Sequence, residues 1–155
     1  MYYWRDMAGR AWEAEVADQE KTLAVLANVF PFDVRGMKAP LLQSGGDVQF
    51  AMMENRLLSY DMSLPSMQVA PPLWPYTLDY RSGQECSIPP CPTGSHPGLW
   101  EVPLVDWIDT NDTLCNNVDA CYFPADKEEA LTLLRSNFQR HYNSNRAPLP
   151  LVLRP

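Results

Sequence analysis

The chain has 155 residues and a mass of 17.6 kDa, enough for one hydrophobic core and too few for two domains of ordinary size. With 46% hydrophobic and 20% charged residues, its composition is that of a globular domain. The net charge of −7 argues against nucleic acid and anionic membrane surfaces as partners. No apolar run approaches the roughly 20 residues that a membrane-spanning helix needs.

The first half of the chain predicts two helices alternating with two strands. Apolar residues at steps of three and four predict an amphipathic helix over 7–28. An apolar run predicts a strand over 34–39, and a glycine turn then leads into a helix that Asp47 would cap. Residues 57–62 predict the next strand.

The middle of the chain alternates between strand-like and irregular sequence. Residues 73–80 predict a strand that Pro75 confines to a sheet edge, because proline cannot donate a hydrogen bond to the next strand. Residues 81–98 predict a long irregular insertion, and residues 100–107 return to strand-like alternation.

The last third predicts a helix and a closing strand. Asp126 and Glu129 form a capping box for a helix that runs to about Asn143. Residues 148–153 predict a last strand. The helical spacing predicts an inner stripe formed by Ala130, Leu134, Phe138 and Tyr142. This order of elements predicts an α/β fold with parallel-sheet character.

The four cysteines form two close pairs, Cys86 with Cys91 and Cys115 with Cys121. Two hypotheses account for them: disulfides in an oxidising compartment, or a zinc site, which more often has two intervening residues. The four and five intervening residues favour disulfides, and pairing within each short loop is preferred among three connectivities. A glycosylation sequon at Asn111 agrees with a secreted origin, although the first residues predict no secretory signal.

Residue types alone give few catalytic candidates. His141, near the end of a predicted helix, is expected at the surface or at the helix cap. His96 lies in a loop, where a structural hydrogen bond is favoured over metal binding because no second histidine stands at a ligand spacing. Asp106 and Asp109 could act as an acid/base pair, but solvation at the surface is the favoured interpretation.

The aromatic residues are the more informative set. Flat aromatic rings stack on the apolar faces of sugars, although core packing is the competing interpretation for each of them. The candidates for a substrate groove are Trp74, Tyr76, Trp100 and Trp107.

Four stretches of the sequence resemble the arthropod-type chitin deacetylases, which are polysaccharide deacetylases. Residues 35–53 resemble the family's third motif region, built on Arg-Ala-Pro-Tyr/Phe-Leu, a glycine-rich turn and an Asn-Arg-Gln-Phe helix. Residues 72–80 read Pro-Leu-Trp-Pro-Tyr-Thr-Leu-Asp-Tyr, as in the family. Residues 86–101 resemble its cysteine loop, which ends in Pro-Gly-Leu-Trp-Glu, and residues 137–149 resemble the end of its domain.

This resemblance implies that residues 1–155 are the C-terminal portion of a polysaccharide deacetylase domain, whose fold is a distorted (β/α) barrel. The family removes N-acetyl groups from chitin-type polymers by hydrolysis, with a divalent metal that is usually zinc. The resemblance therefore implies chitin or a chitooligosaccharide as partner, a secreted location, and the missing barrel half as a second partner.

The chain departs from the family at its catalytic motifs. The Thr-Phe-Asp-Asp and His-x-x-x-His motifs, which supply the base and metal ligands, align upstream of Met1, and the closing histidine is absent. In the third motif, Lys38 replaces the arginine and Leu41 the aromatic residue, on either side of Ala39-Pro40. Lysine keeps the positive charge but lacks the planar fork with which arginine could orient a carboxylate. We therefore expect no catalytic residue, metal site or zinc in this chain, and no deacetylase activity from it alone.

Two hypotheses of different class remain. The chain is part of an active secreted deacetylase, or it is a short relative that binds chitin or supports the matrix without catalysis. The lack of a secretory signal favours the first, and the change at Lys38 with the missing histidine favours the second. An incomplete barrel leaves open strand edges, so we expect marginal stability unless a partner supplies the rest.

Overall fold

A computed structural model describes Trp4 and residues 6–153. These residues form a mixed α/β structure with three helices and eight short strands in three small sheets, none of which closes into a barrel. They divide into two compact units. The first comprises the described residues up to Leu64 with Tyr76–Val102, and the second comprises Pro65–Pro75 with the described residues from Pro103 onward.

Helix α1, Gly9–Ala27, opens the first unit where the sequence predicts a helix. Its buried residues, Trp12, Val16 and Glu20, recur at steps of four and so lie on one face. The helix ends at Asn28, which adopts a left-handed conformation at φ 53° and donates its N–H to the Leu23 carbonyl.

Helix α2, Asp47–Asn55, packs against α1, and Arg56 at its C-terminal end forms an ion pair with the buried Glu20 of α1. The predicted cap is wrong by one residue, because Gly46 is the N-cap and Asp47 lies inside the helix. Gly46 has φ 57°, and the carbonyl oxygens of Pro90 and Cys91 lie 3.2 and 3.3 Å from the place of an added Cβ. Both constraints require glycine at this position.

The main sheet of the first unit has the order β1-β2-β5-β4. Its strands are β1 Gly36–Met37, β2 Tyr60–Asp61, β4 Tyr76–Thr77 and β5 Trp100–Glu101. Strands β1, β2 and β5 are parallel, and β4 is antiparallel at the edge, as Pro75 predicts. The predicted strands are therefore present but shorter than expected.

The second unit contains two two-stranded sheets and one helix. Strand β3, Pro65–Ser66, pairs in parallel with β6, Leu104–Val105, and β7, Trp107–Ile108, pairs with the antiparallel β8, Leu114–Cys115. The strand predicted over 100–107 is thus divided among β5, β6 and β7. Pro103 interrupts it because proline has no N–H to donate.

Helix α3, Lys127–Asn143, has the predicted bounds. The Asp126 side chain accepts the Glu129 N–H at 2.9 Å, and the Glu129 carboxylate accepts from Ala125 at 2.7 Å. The predicted inner stripe is wrong. Its members Leu134, Phe138 and Tyr142 are 40%, 53% and 53% exposed, whereas the buried residues are Leu133, Asn137 and His141.

The segment that follows α3 contains no strand among its described residues, so the strand predicted over 148–153 is wrong. Pro148 and Pro150 remove N–H donors at alternate positions. The Pro150 carbonyl instead accepts the indole N–H of Trp107 at 2.8 Å. None of the described helices combines the length and the apolar character of a membrane-spanning helix.

Candidate functional site

A polar cluster lies in the core of the first unit, at the carboxyl ends of β1, β2 and β5. These strands run parallel, so their ends meet at one edge of the sheet. Asp61 of β2 and Glu101 of β5 are register partners, and both residues are 0% exposed. Ligand sites of α/β proteins form at the carboxyl ends of parallel strands. This carboxyl pair is therefore the first candidate site.

Asp61 is held by three hydrogen-bond donors. Gln49 Nε2, from α2, and the Ser63 hydroxyl each donate to Asp61 Oδ1 at 2.7 Å. The Ser63 backbone N–H donates to Oδ2, also at 2.7 Å. Burial raises the pKa of Asp61 to about 6, although the hydrogen bonds from Ser63 oppose that shift.

Glu101 has fewer hydrogen bonds. The Leu64 N–H donates to Oε1 at 3.4 Å, and Oε2 has no hydrogen-bond partner among the described residues. Burial, together with the neighbouring Asp61, raises the pKa of Glu101 well above its ordinary range. Burial and the two carboxyl charges also raise the pKa of Tyr76, whose hydroxyl donates to Gln84 Oε1 at 2.9 Å.

The altered motif residues adjoin this cluster through the backbone. The Ala39 N–H donates to the Ser63 hydroxyl at 2.8 Å, which fixes the chain just after β1. Lys38 is exposed, Pro40 begins a 3-10 turn, and Leu41 is 74% exposed at φ 54°. Both changed side chains therefore lie at the surface, whereas the carboxyl pair is buried.

Two of the four groove candidates present aromatic surface to solvent. Trp74, in the second unit, is 51% exposed and donates its indole N–H to the Asn145 carbonyl at 3.2 Å. Trp100, in the first unit, is 46% exposed and stands in register with Tyr60, which is 37% exposed. Register partners in adjacent strands project from the same face, so Tyr60 and Trp100 form an aromatic surface on the sheet.

The other two candidates are engaged inside the units. Tyr76 is half-buried, and its hydroxyl lies 2.7 Å from Ser82 Oγ. Trp107 is 1% exposed and packs in a core cluster with Cys115, Cys121 and Leu133. Its ring has no face free for a sugar, so core packing accounts for Trp107.

Both histidines are buried, so the surface position expected for His141 is wrong. His141 Nδ1 lies 2.9 Å from the Ala147 carbonyl, and burial lowers the pKa of the imidazole. His96 has the structural role expected of it. Its Nε2 lies 3.1 Å from Asp47 Oδ1 and its Nδ1 lies 3.3 Å from Glu54 Oε1, both on α2.

Asp106 and Asp109 are 7% and 8% exposed, so their expected solvation at the surface is wrong. Asp109 Oδ1 accepts the backbone N–H groups of Asn111 and Thr113 at 2.8 and 2.9 Å, which organises a turn. Burial raises the pKa of Asp106 to about 6, although the charge of Arg140 opposes that shift. The two carboxyl groups thus have separate structural surroundings.

Disulfides join Cys86 to Cys91 and Cys115 to Cys121, the pairing that the short loops favour. The first disulfide lies in the long insertion, whose backbone is also held by Asp47. The N–H groups of Thr93 and Gly94 each donate to Asp47 Oδ1 at 2.9 Å. Asn111 is exposed before the second disulfide.

A zinc ion does not fit the residues that the structure describes. Within Trp4 and residues 6–153, no three His, Cys, Asp or Glu side chains converge to hold a metal ion. The Asp61–Glu101 pair would supply two ligands, whereas catalytic zinc centres use three protein ligands and a water.

The sequence is similar to two proteins from Bombyx mori. It is 38% identical to Chitin deacetylase 8 over 150 residues, which cover 94% of this chain and 39% of that protein. It is 33% identical to Chitin deacetylase 1 over 159 residues, covering 96% of this chain and 29% of that protein. No protein-family model matches the sequence.

Over nearly its whole length the chain is thus similar to chitin deacetylases. More particularly, it is a chitin deacetylase-like chain that corresponds to part of its relatives. It spans 39% and 29% of the lengths of the two silkworm proteins. The similarity and the disulfides are consistent with an extracellular protein.

The Asp61–Glu101 pair was not among the sequence predictions. Both residues follow an aromatic residue at a strand position, Tyr60 and Trp100. Strand alternation then places each carboxyl group on the opposite face from its aromatic neighbour. A charged residue on the inward face of a short parallel strand is the signal that could have identified them.

Proposed function

We propose that this chain serves chitin metabolism in the extracellular space, as the part of a deacetylase-like protein that contacts N-acetylglucosamine polymers. The observation that carries the proposal is its identity of 38% and 33% to two chitin deacetylases across nearly its whole length. The two disulfides support a secreted location, because such bonds persist in oxidising compartments.

The proposed architecture is the C-terminal portion of a distorted (β/α) barrel spanning residues 1–155. Strand β1, helix α2 and strand β2 support it, because they form a parallel β-α-β unit of the kind from which such barrels are built. The partner proposed for the open sheet is the remaining barrel half.

Trp74 and Trp100 are the proposed sugar-contacting residues. Trp74 is pre-organised, because Asn145 accepts its indole N–H and itself donates Nδ2–H to the Pro72 carbonyl at 2.7 Å. About half of the Trp74 surface remains open to solvent. A fixed, exposed indole can stack on a pyranose with little loss of side-chain entropy on binding.

Catalysis is not proposed for this chain alone, and a non-catalytic chitin-binding or matrix role is the second candidate. The observation that favours it is the altered third motif, where Lys38 stands in place of the family's arginine and Leu41 in place of its aromatic residue. At the altered motif, Lys38, Pro40 and Leu41 carry no proposed catalytic role.

Alanine at Trp74 or Trp100 is expected to weaken binding of acetylated chitooligosaccharides about two- to tenfold. An aromatic contact contributes about 0.5–1.5 kcal/mol beyond its buried area, and 1.4 kcal/mol is tenfold in affinity. Isothermal titration of the full chain with N-acetylglucosamine oligomers of increasing length measures the effect.

Phe123→Ala is the matched control, because Phe123 is an aromatic residue with 86% exposure outside the proposed surfaces. An equal loss of affinity in all three variants, or no binding by the parent chain, would refute the sugar-contact proposal. Measuring acetate release from the same oligomers, with added zinc and with a chelator, distinguishes a catalytic from a non-catalytic role. Chelator-sensitive release would overturn the non-catalytic role.

We also propose N-glycosylation at Asn111. The residue is exposed on a turn whose backbone is fixed by Asp109, and Thr113 of the sequon is exposed beside it. Expression of the chain behind a secretory leader in insect cells is expected to give a glycan-sized mass increase that glycosidase removes.

The sequon supplies its own controls. Asn111→Gln and Thr113→Ala are expected to abolish the added mass, whereas Thr113→Ser keeps the sequon and the glycan. Secreted protein with an unmodified Asn111 would contradict this proposal and leave the chitin proposal untouched.

A further inference from the structure

The two buried carboxyl groups of the first unit are side by side because of strand register. Asp61 and Glu101 are partners in the parallel pairing of β2 and β5, so their side chains project from the same face. Both residues are completely buried. No lysine, arginine or histidine of the described residues forms an ion pair with either carboxyl group.

The hydrogen-bond donors around the pair are unequally distributed. Asp61 accepts from Gln49 and twice from Ser63, which suits an ionised carboxylate. Glu101 has one long bond to Oε1 and no partner at Oε2. A buried, unsatisfied carboxylate beside a second negative charge is costly, whereas a carboxylic acid carries its own donor.

We propose that Asp61 and Glu101 hold one proton between them at neutral pH, carried on Glu101, and that this proton joins the carboxyl ends of β2 and β5. Its removal places two like charges in the core of the first unit. The structure thus contains a pH-sensitive junction at the edge where the parallel strands end.

Tyr76, Gln49 and Ser63 lie around the pair. Tyr76, from β4, is the third group whose charge state is coupled to it. Helix α2 contributes the neutral Gln49, and the segment after β2 contributes the neutral Ser63. Neither element therefore supplies a cation that would remove the need for a proton.

The direction of the pH effect follows from the raised pKa values. Folding raises the pKa of Asp61 to about 6 and that of Glu101 further above its ordinary range. Unfolded carboxyl groups ionise at about pH 4, so the folded state holds more protons above that pH. The pair's stabilisation is complete below about pH 4 and is lost as pH rises through the folded pKa values.

Glu101→Gln tests the proposal, because glutamine keeps the shape and the neutral donor but cannot lose a proton. Urea unfolding of the full parent chain and the variant is compared across pH 4–9. Between pH 6 and the folded pKa of Glu101, the ratio of parent to variant unfolding constants should rise about tenfold per pH unit, the slope for one proton.

Glu85→Gln is the matched control, since Glu85 is an exposed glutamate of the same unit. The pH dependence of its unfolding constant should follow that of the parent chain. A Glu101→Gln variant whose unfolding constant differs from the parent by the same factor at every pH would overturn the proposal.

A second measurement on the parent chain keeps the test decisive if the variant does not fold. Carboxyl ¹³C shifts of the folded chain should show one core carboxyl group still protonated at pH 7, with the pair titrating in two steps. Ionisation of both groups below pH 5 would refute the shared proton.

Discussion

Trp107→Ala is expected to lower the free energy of unfolding of the second unit by about 3–5 kcal/mol. Trp107 is 1% exposed, and its ring packs against both cysteines of the second disulfide and against Leu133. The substitution also removes the hydrogen bond to the Pro150 carbonyl, which fixes the segment after α3. Urea unfolding followed by tryptophan fluorescence and circular dichroism measures the loss.

Two further variants serve as controls. One tests the contribution of the Trp107 hydrogen bond, and the other tests the loss of a half-exposed indole elsewhere in the chain. Trp107→Phe keeps an aromatic ring and removes the N–H donor, so it should cost clearly less than alanine. Trp100→Ala removes an indole that is 46% exposed, and it should cost about 1 kcal/mol or less. A Trp107→Ala variant as stable as Trp100→Ala would show that the core position assigned to Trp107 is wrong.

The helices could be predicted from the sequence because their signals are local. Apolar spacing identified α1, and Asp126 with Glu129 identified the start of α3. The start of α2 was misplaced by one residue because Asp47 has the side chain of an N-cap. Its carboxylate is instead bound by the insertion at Thr93 and Gly94, about 46 residues away in sequence. Such a long-range partner leaves no local signal.

The strands were harder to predict because each is two residues long in the structure. Pro75 correctly indicated an edge strand, since its effect on hydrogen bonding is local. The alternating prolines of 148–153 should have excluded a strand by the same argument. The apolar residues between them favour a strand, but Pro148 and Pro150 have no N–H to donate to a neighbouring strand.

The carboxyl pair could not be predicted as a pair from the sequence. Asp61 and Glu101 are 40 positions apart, and they meet because β2 and β5 are neighbours in register. Strand register depends on the tertiary structure and is only weakly predictable from a single sequence. The exposure of the aromatic candidates also depends on tertiary structure. Trp74 and Trp100 are about half-exposed, whereas Trp107 is buried.

The face of α3 was mispredicted because its buried side carries polar residues. Asn137 and His141 lie inward, while Phe138 and Tyr142 stack on each other at 5.6 Å on the exposed side. A pattern based on hydrophobicity selects the aromatic residues for the core. The polar side chains are buried because backbone groups of neighbouring segments need them as partners.

Asn137→Ala is therefore expected to lower the free energy of unfolding by about 2–4 kcal/mol, although asparagine is a polar residue in a helix. Its Oδ1 accepts the Ile108 N–H at 2.9 Å, and its Nδ2 donates to the Ile108 carbonyl at 2.8 Å. Arg140 also donates to Oδ1 at 2.9 Å. Alanine leaves these groups without their partner in a buried site, and each such group costs about 1–3 kcal/mol.

Phe138→Ala, one residue along the same helix, is the matched control. The hydrophobic pattern makes Phe138 a core residue, whereas the structure leaves it 53% exposed, so its loss should cost about 1 kcal/mol or less. Thermal and urea unfolding of the two variants under identical conditions decides between these assignments. The expected order is a larger loss for Asn137→Ala, because unpaired backbone groups inside the unit cost more than removal of a half-exposed ring. The reverse order would mean that α3 is rotated to bury its aromatic side, with Asn137 in solvent.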